Sequence, residues 1–167
     1  MSHSVLIVDD EEFIRSSIRR TLRKEQYDLV FAANPFEAFR ILADRPIDLV
    51  ISDHLMPRMT GIEFLGHVAG RWPDTMRIVL TGQSDVEMAI RAINEGSVYR
   101  FLTKPWDEKD LITALRLALA ALDTRRETDR LLAGVVRPSE ATLALETSHP
   151  GITEVQRDDR GAILLEA

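Results

Sequence analysis

The sequence contains no cysteine among its 167 residues. Disulfide bonds, zinc sites with thiolate ligands and a cysteine nucleophile are therefore excluded. A chain without disulfides suits a reducing compartment, so we expect a cytoplasmic protein.

Long apolar stretches are also missing. No run reaches the roughly 18 apolar residues that a membrane-spanning helix requires, so no membrane partner is expected. The opening MSHSVLIVDD lacks the basic start and long apolar segment of a secretory signal peptide.

Positive charge is in deficit, because 21 basic residues stand against 27 acidic ones and give a net charge of −6. Phosphate backbones are bound by basic faces, so direct nucleic-acid binding is not expected. The histidines are scattered and none forms a helical pair with metal-binding spacing: His3, His54, His67 and His149.

Short apolar runs alternate with amphipathic segments. The runs predict five strands, at 5–8, 27–33, 47–52, 76–81 and 97–103. Helices are predicted at 11–26, 35–44 and 61–71, after Ser84, and from about Asp107. Because the runs are apolar throughout, the strands are buried on both faces, which indicates an α/β fold with a parallel sheet between two helical layers.

Several polar residues predict where helices begin and end. Asn34 followed by Glu37, and Ser84 followed by Glu87, have the spacing of capping boxes. Gly96 is placed to end the fourth helix in the left-handed conformation.

Chemically active side chains follow four of the five predicted strands. They are Asp9, Asp10, Asp53, Thr81 and Lys104. In an open parallel sheet the carboxyl ends of the strands share one edge, so we expect these residues to converge there.

Three crowded carboxylates repel one another and favour a hard divalent cation such as Mg²⁺. A metal ion and the ammonium of Lys104 around one carboxylate form a site suited to phosphoryl transfer. Asp53 is the preferred nucleophile because it stands alone on a central strand.

The chain resembles the receiver domain of two-component response regulators over roughly residues 4–122. Four motifs carry the resemblance in order and spacing: VLIVDDEE at 5–12, DLVISDHLMPRMTGIEFL at 48–65, IVLTGQSD at 78–85 and FLTKPW at 101–106. It implies a flavodoxin-like, doubly wound five-stranded sheet of order 2-1-3-4-5. It also implies that Asp53 accepts a phosphoryl group from a sensor histidine kinase or a phosphotransfer protein.

Further roles follow from the same resemblance. Asp10 and Asp53 would bind Mg²⁺ directly with the backbone carbonyl of Leu55, while Asp9 would act through water. Thr81 and Lys104 would contact the phosphoryl oxygens.

The switch of this family moves Thr81 toward the phosphoryl group while the aromatic residue at position 101, here Phe101, turns inward. This chain has one residue more between Gly96 and Lys104 than the commonest receivers. Tyr99 is therefore a second candidate for the switch.

Two rival functions differ in class from this switch. A magnesium-dependent phosphatase of the haloacid-dehalogenase type also uses an aspartyl phosphate, but it places its nucleophile on the first strand in an Asp-x-Asp pattern. A binding module without phosphoryl chemistry would have no need of the intact acid cluster, threonine and lysine.

The predicted last helix continues beyond the receiver, since 107–133 contains neither glycine nor proline. We expect three parts: a receiver at 1–122, a helical extension and linker at 123–149, and a hairpin-like tail at 150–167 that follows a short helix. A partial stripe of apolar residues predicts a homodimer through the last helix, the tail or both. A solvent-exposed signalling linker is the alternative.

Overall fold

The computed structural model describes residues 2–136, and the first compact unit of the chain ends at Thr124. Five strands alternate with five helices: β1 (His3–Val8), α1 (Glu12–Leu22), β2 (Tyr27–Ala32), α2 (Pro35–Asp44), β3 (Leu49–Asp53), α3 (Gly61–Arg71), β4 (Met76–Thr81), α4 (Val86–Asn94), β5 (Arg100–Thr103) and α5 (Glu108–Val136). Within 2–136 no helix is both long and apolar enough to cross a bilayer. The predicted C-terminal helix and hairpin lie outside the described residues.

The five strands form one parallel sheet in the order β2-β1-β3-β4-β5. This confirms the flavodoxin-like, doubly wound fold and the extended last helix. Alternate residues of β1 enter separate cores, because successive side chains of a strand point to opposite faces. Val5 and Ile7 pack with buried residues of α1 and α5, whereas Leu6 and Val8 pack with those of α2, α3 and α4.

Capping residues fix two helices beside the carboxyl edge of the sheet. The Asn34 side chain accepts a hydrogen bond from the N–H of Glu37 at 2.9 Å, as expected for the start of α2. Thr60 and Glu63 form a complete capping box at the start of α3. That start holds the loop after β3 in place.

The start of α4 differs from the prediction. A 3₁₀ turn at Gln83–Asp85 precedes the helix, which begins at Val86 without a side-chain cap. The expected capping box is wrong, because the Ser84 hydroxyl donates to Asp85 at 3.1 Å instead.

The end of α4 follows the prediction, but β5 is shorter than expected. Gly96 adopts the left-handed conformation with φ of 76°. The N–H groups of Ser97 and Val98 both donate to the carbonyl of Ala92. These residues therefore complete the helix end instead of extending the strand.

Candidate functional site

The predicted site residues lie at the carboxyl ends of neighbouring parallel strands. Asp9 directly follows β1, Asp53 ends β3, Thr81 ends β4, and Lys104 directly follows β5. Because β1, β3, β4 and β5 are adjacent in the sheet, their ends form one continuous edge. Residues that are far apart in sequence are thereby brought into one site.

Three carboxylates meet at this edge. Asp9, Asp10 and Asp53 each offer an oxygen atom, and these atoms all lie within 4.8 Å of one another. Asp9 and Asp53 are buried, with 0% and 5% exposure, whereas Asp10 is exposed. The set matches the oxygen ligands of a hard divalent cation, with an open side at Asp10.

Lys104 places a positive charge against two of these carboxylates. Its Nζ lies 2.7 Å from Oδ1 of Asp53 and 3.5 Å from Oδ2 of Asp9. Burial lowers the pKa of Lys104, but the hydrogen bond to Asp53 and the attraction of both carboxylates outweigh it, so the net pKa is raised. The ammonium therefore remains charged beside Asp53.

Asp9 is the most perturbed carboxyl group of the site. Burial raises its pKa to about 6, although the hydrogen bond from the N–H of Glu11 and the charge of Lys104 oppose the rise. The nearby charge of Asp53 adds to it. One lysine thus compensates the buried negative charge only in part.

The remaining predicted residues surround this cluster on the same strands and loops. Thr81 is fully buried, and its hydroxyl donates to the carbonyl of Gly82 at 3.2 Å. Phe101 is half-buried on β5, whereas Tyr99, just before that strand, is 40% exposed. The Leu55 side chain is 63% exposed in the loop after Asp53.

Sequence reasoning missed the site role of two backbone positions in the loop after β3. A Cβ atom on Gly61 would lie 1.9 Å from the carbonyl oxygen of Asp53, so only glycine fits there. Arg58 has φ of 73° and is the only non-glycine residue with positive φ in the described part of the chain. In the sequence, Pro57 and Gly61 indicate a loop after β3. They do not indicate that the backbone at Gly61 lies against the carbonyl of Asp53.

Comparisons with known proteins agree on one family. The sequence profile described as the response regulator receiver domain matches residues 5–116. The hydrogenase transcriptional regulatory protein HoxA of Cupriavidus necator is 37% identical over 128 residues, which make up 77% of this chain and 26% of HoxA. The response regulator protein PilR of Pseudomonas aeruginosa is 35% identical over 131 residues, or 76% of this chain and 29% of PilR.

A solved structure gives the same result for the fold. The signal receiver domain of an HD domain-containing protein from Pseudomonas fluorescens Pf-5 is 40% identical, with a TM-score of 0.71. The match covers 75% of this chain and 93% of that domain. In contrast, the chain spans only about a quarter of the length of HoxA.

Proposed function

The chain belongs to the response regulator receiver domain family, and from that premise we propose that Asp53 accepts a phosphoryl group from the phosphohistidine of a sensor histidine kinase or of a phosphotransfer protein. The main supporting observation is the 2.7 Å contact between Lys104 Nζ and Asp53 Oδ1 beside two further carboxylates. A structural role alone would not require a cluster of three acids, two of them paired with one lysine.

The acid cluster fits Mg²⁺. Its donors are all oxygen atoms, one carboxylate faces solvent, and burial raises the pKa of Asp9, to which the nearby charge of Asp53 adds. Asp10, Asp53 and the backbone carbonyl of Leu55 would hold the ion, with Asp9 acting through water. When bound, Mg²⁺ would neutralise phosphoryl oxygens and allow two anions to approach.

In the proposed transfer, a carboxylate oxygen of Asp53 attacks the phosphorus atom. The P–N bond to the donor imidazole breaks, and the imidazole leaves with the electron pair. Lys104 compensates the charge of the equatorial oxygens. The Thr81 hydroxyl, which now donates to Gly82, would turn to donate to a phosphoryl oxygen.

We expect the output to be a change in homodimerisation or in binding of a protein partner. The reoriented Thr81 would shift the equilibrium of Phe101, or of Tyr99, between outward and inward positions. Such a switch requires a change of only a few kcal/mol in the free-energy difference between the two conformations. Light scattering of the full chain, with and without a beryllofluoride phosphoryl mimic, tests whether dimerisation responds.

The phosphatase alternative lacks support, because the lone nucleophile candidate ends β3 rather than β1. Transcriptional regulation is named for HoxA, a longer protein. For this chain we propose no direct nucleic-acid contact, in line with its net charge of −6.

The experiment is a mass-shift assay with acetyl phosphate and Mg²⁺. The wild-type chain should gain one phosphoryl group on Asp53, and Asp53→Asn should gain none while keeping its circular dichroism spectrum. Asp44→Asn, an exposed change at the end of α2, is the matched control and should label like wild type. Labelling of the Asp53→Asn variant would exclude the assignment.

A further inference from the structure

A cavity adjoins the acid cluster on the side away from Lys104. It has a volume of about 340 Å³ and lies between the ends of β1 and β2 and the loop after β3. Its lining comprises Asp10, Ala33, Asn34, Phe36, Pro57 and Arg58. The cavity therefore shares the exposed carboxylate of the cluster and opens to solvent beside it.

Lys104 and Arg58 lie on different sides of the cluster, and Arg15 donates to the backbone carbonyl of Asp9 at 2.6 Å. Lys104 contacts Asp53 and Asp9, but no contact joins it to Asp10. Arg58 is the one cationic side chain in the lining of the cavity. Among residues 2–136 it has no hydrogen bond or ion pair, so its guanidinium is available to a ligand.

The backbone at Arg58 is unfavourable for arginine. Its φ of 73° lies in the left-handed region, which glycine adopts at least cost. Strain of this kind clusters at functional sites, where a particular side chain is needed. Arg58 is exposed, and within residues 2–136 no hydrogen bond or ion pair offsets the strain, so burial does not account for arginine at this position.

We propose that Arg58 is a donor-binding residue that holds an anionic phosphodonor of the acyl phosphate class in this cavity before transfer to Asp53. The inference rests on the proposed function, because it assigns a donor contact to that same site. Arginine binds phosphate and carboxylate oxygens through its planar fork of N–H donors. Its charge also offsets the repulsion between Asp10 and an approaching anion.

The transfer itself balances without a further reactant. A carboxylate oxygen of Asp53 attacks phosphorus, the bond between phosphorus and the acyl oxygen breaks, and the carboxylate product leaves with the electron pair. Acetyl phosphate carries more negative charge at neutral pH than phosphoramidate, whose leaving group is ammonia. Arg58 should therefore increase the rate of transfer from acetyl phosphate more than the rate of transfer from phosphoramidate.

The test compares wild type with Arg58→Gly, which keeps the backbone conformation accessible. Labelling rates of Asp53 are measured at saturating Mg²⁺ and low donor concentration. We expect the rate with acetyl phosphate to fall about fivefold and the rate with phosphoramidate less than about twofold, with the difference shrinking at high salt. Arg58→Lys should restore part of the rate because it returns the charge.

Arg23→Gly is the matched control, since it removes an exposed arginine that follows α1, at the opposite edge of the sheet. It should leave both rates unchanged. Equal rates for wild type and Arg58→Gly, or equal losses with both donors, would overturn the role of Arg58 while leaving Asp53 as the acceptor. Absence of label on wild-type Asp53 would overturn the proposed function and this inference together.

Discussion

At the scale of single residues, Gly61 sets how closely α3 approaches the end of β3. Its N–H donates to the carbonyl of His54 at 2.8 Å, and a Cβ atom would overlap the carbonyl of Asp53. Gly61→Ala must therefore displace backbone that carries the site. We expect a loss of about 3 kcal/mol or more in the free energy of unfolding, measured in urea, and slower phosphoryl uptake.

Gly70→Ala on the same helix separates this clash from helix propensity. A Cβ atom on Gly70 meets nothing within 4 Å. The substitution should leave stability unchanged or raise it by about 0.5–1 kcal/mol, because alanine favours helix over glycine. Similar losses for Gly61→Ala and Gly70→Ala would contradict the steric explanation.

The pKa of Asp9 predicts how stability depends on pH in metal-free buffer. Its folded-state pKa of about 6 lies above the ordinary value of 3.8, so the folded protein binds more protons than the unfolded chain between these values. Stability due to Asp9 is therefore present at low pH and is lost as pH rises from about 4 to 6. The loss amounts to up to about 3 kcal/mol.

Asp9→Asn isolates this contribution, because asparagine resembles the protonated acid and does not titrate. In the presence of a chelator, the variant should match wild type near pH 4 and be the more stable protein at pH 7. Urea midpoints across that range give the difference. A constant difference at every pH would show that Asp9 titrates normally.

The sequence could predict the residues whose side chains form the acid–lysine cluster. Asp9, Asp53 and Lys104 were expected at one edge because each follows a recognisable strand, and the structure brings them within contact distances. Gly61 and Arg58 stand out by their backbone geometry instead: a close approach at Gly61 and a positive φ at Arg58. A sequence shows that a turn is present. It does not show that a Cβ atom at Gly61 would lie 1.9 Å from the carbonyl oxygen of Asp53.

At the scale of elements, prediction succeeded where one periodic pattern governed a whole segment. α3 and β4 have the predicted bounds of 61–71 and 76–81. The predicted start of β5 was wrong, because tertiary contacts at the junction of α4 and β5 override the local strand preference. Residues 97–99 read as strand, but the N–H groups of Ser97 and Val98 donate to the end of α4, and the carbonyl of Ser97 accepts from the Arg77 side chain of β4.

That side chain, Arg77, holds the junction in place. Its guanidinium donates to the carbonyls of Thr75, Ser97 and Gly96 at 2.5, 2.8 and 3.2 Å. Arg77→Ala leaves these acceptors without their donor, so we expect a loss of about 2 kcal/mol in the free energy of unfolding. Amide exchange at residues 97–99 should also accelerate.

Arg100→Ala is the control for charge, because Arg100 is exposed on the adjacent strand. It should change stability by less than about 0.5 kcal/mol. Arg77→Lys should be intermediate, since an ammonium cannot span three carbonyls as a guanidinium does. Equal effects of the two alanine substitutions would indicate that net charge, not the junction, is responsible.

At the scale of the whole molecule, the buried face of α5 extends beyond the matched family region. The profile ends at residue 116, yet Ala118, Leu119 and Leu122 are buried in the core that also contains β1. The folding unit should therefore end after Leu122, and the following positions 123–133 are all exposed. The receiver boundary at 122 is therefore a prediction that truncation can test.

Two truncations test whether the folding unit ends after Leu122. A chain ending at Thr124 keeps every residue that is buried between 108 and 133, so it should fold with an unfolding free energy within about 1 kcal/mol of the full chain and accept the phosphoryl group on Asp53. A chain ending at Arg116 loses Leu119 and Leu122 from the core and should be less stable by more than about 4 kcal/mol. Urea unfolding measures both, and equal stability of the two truncations would show that the core does not depend on the second half of α5.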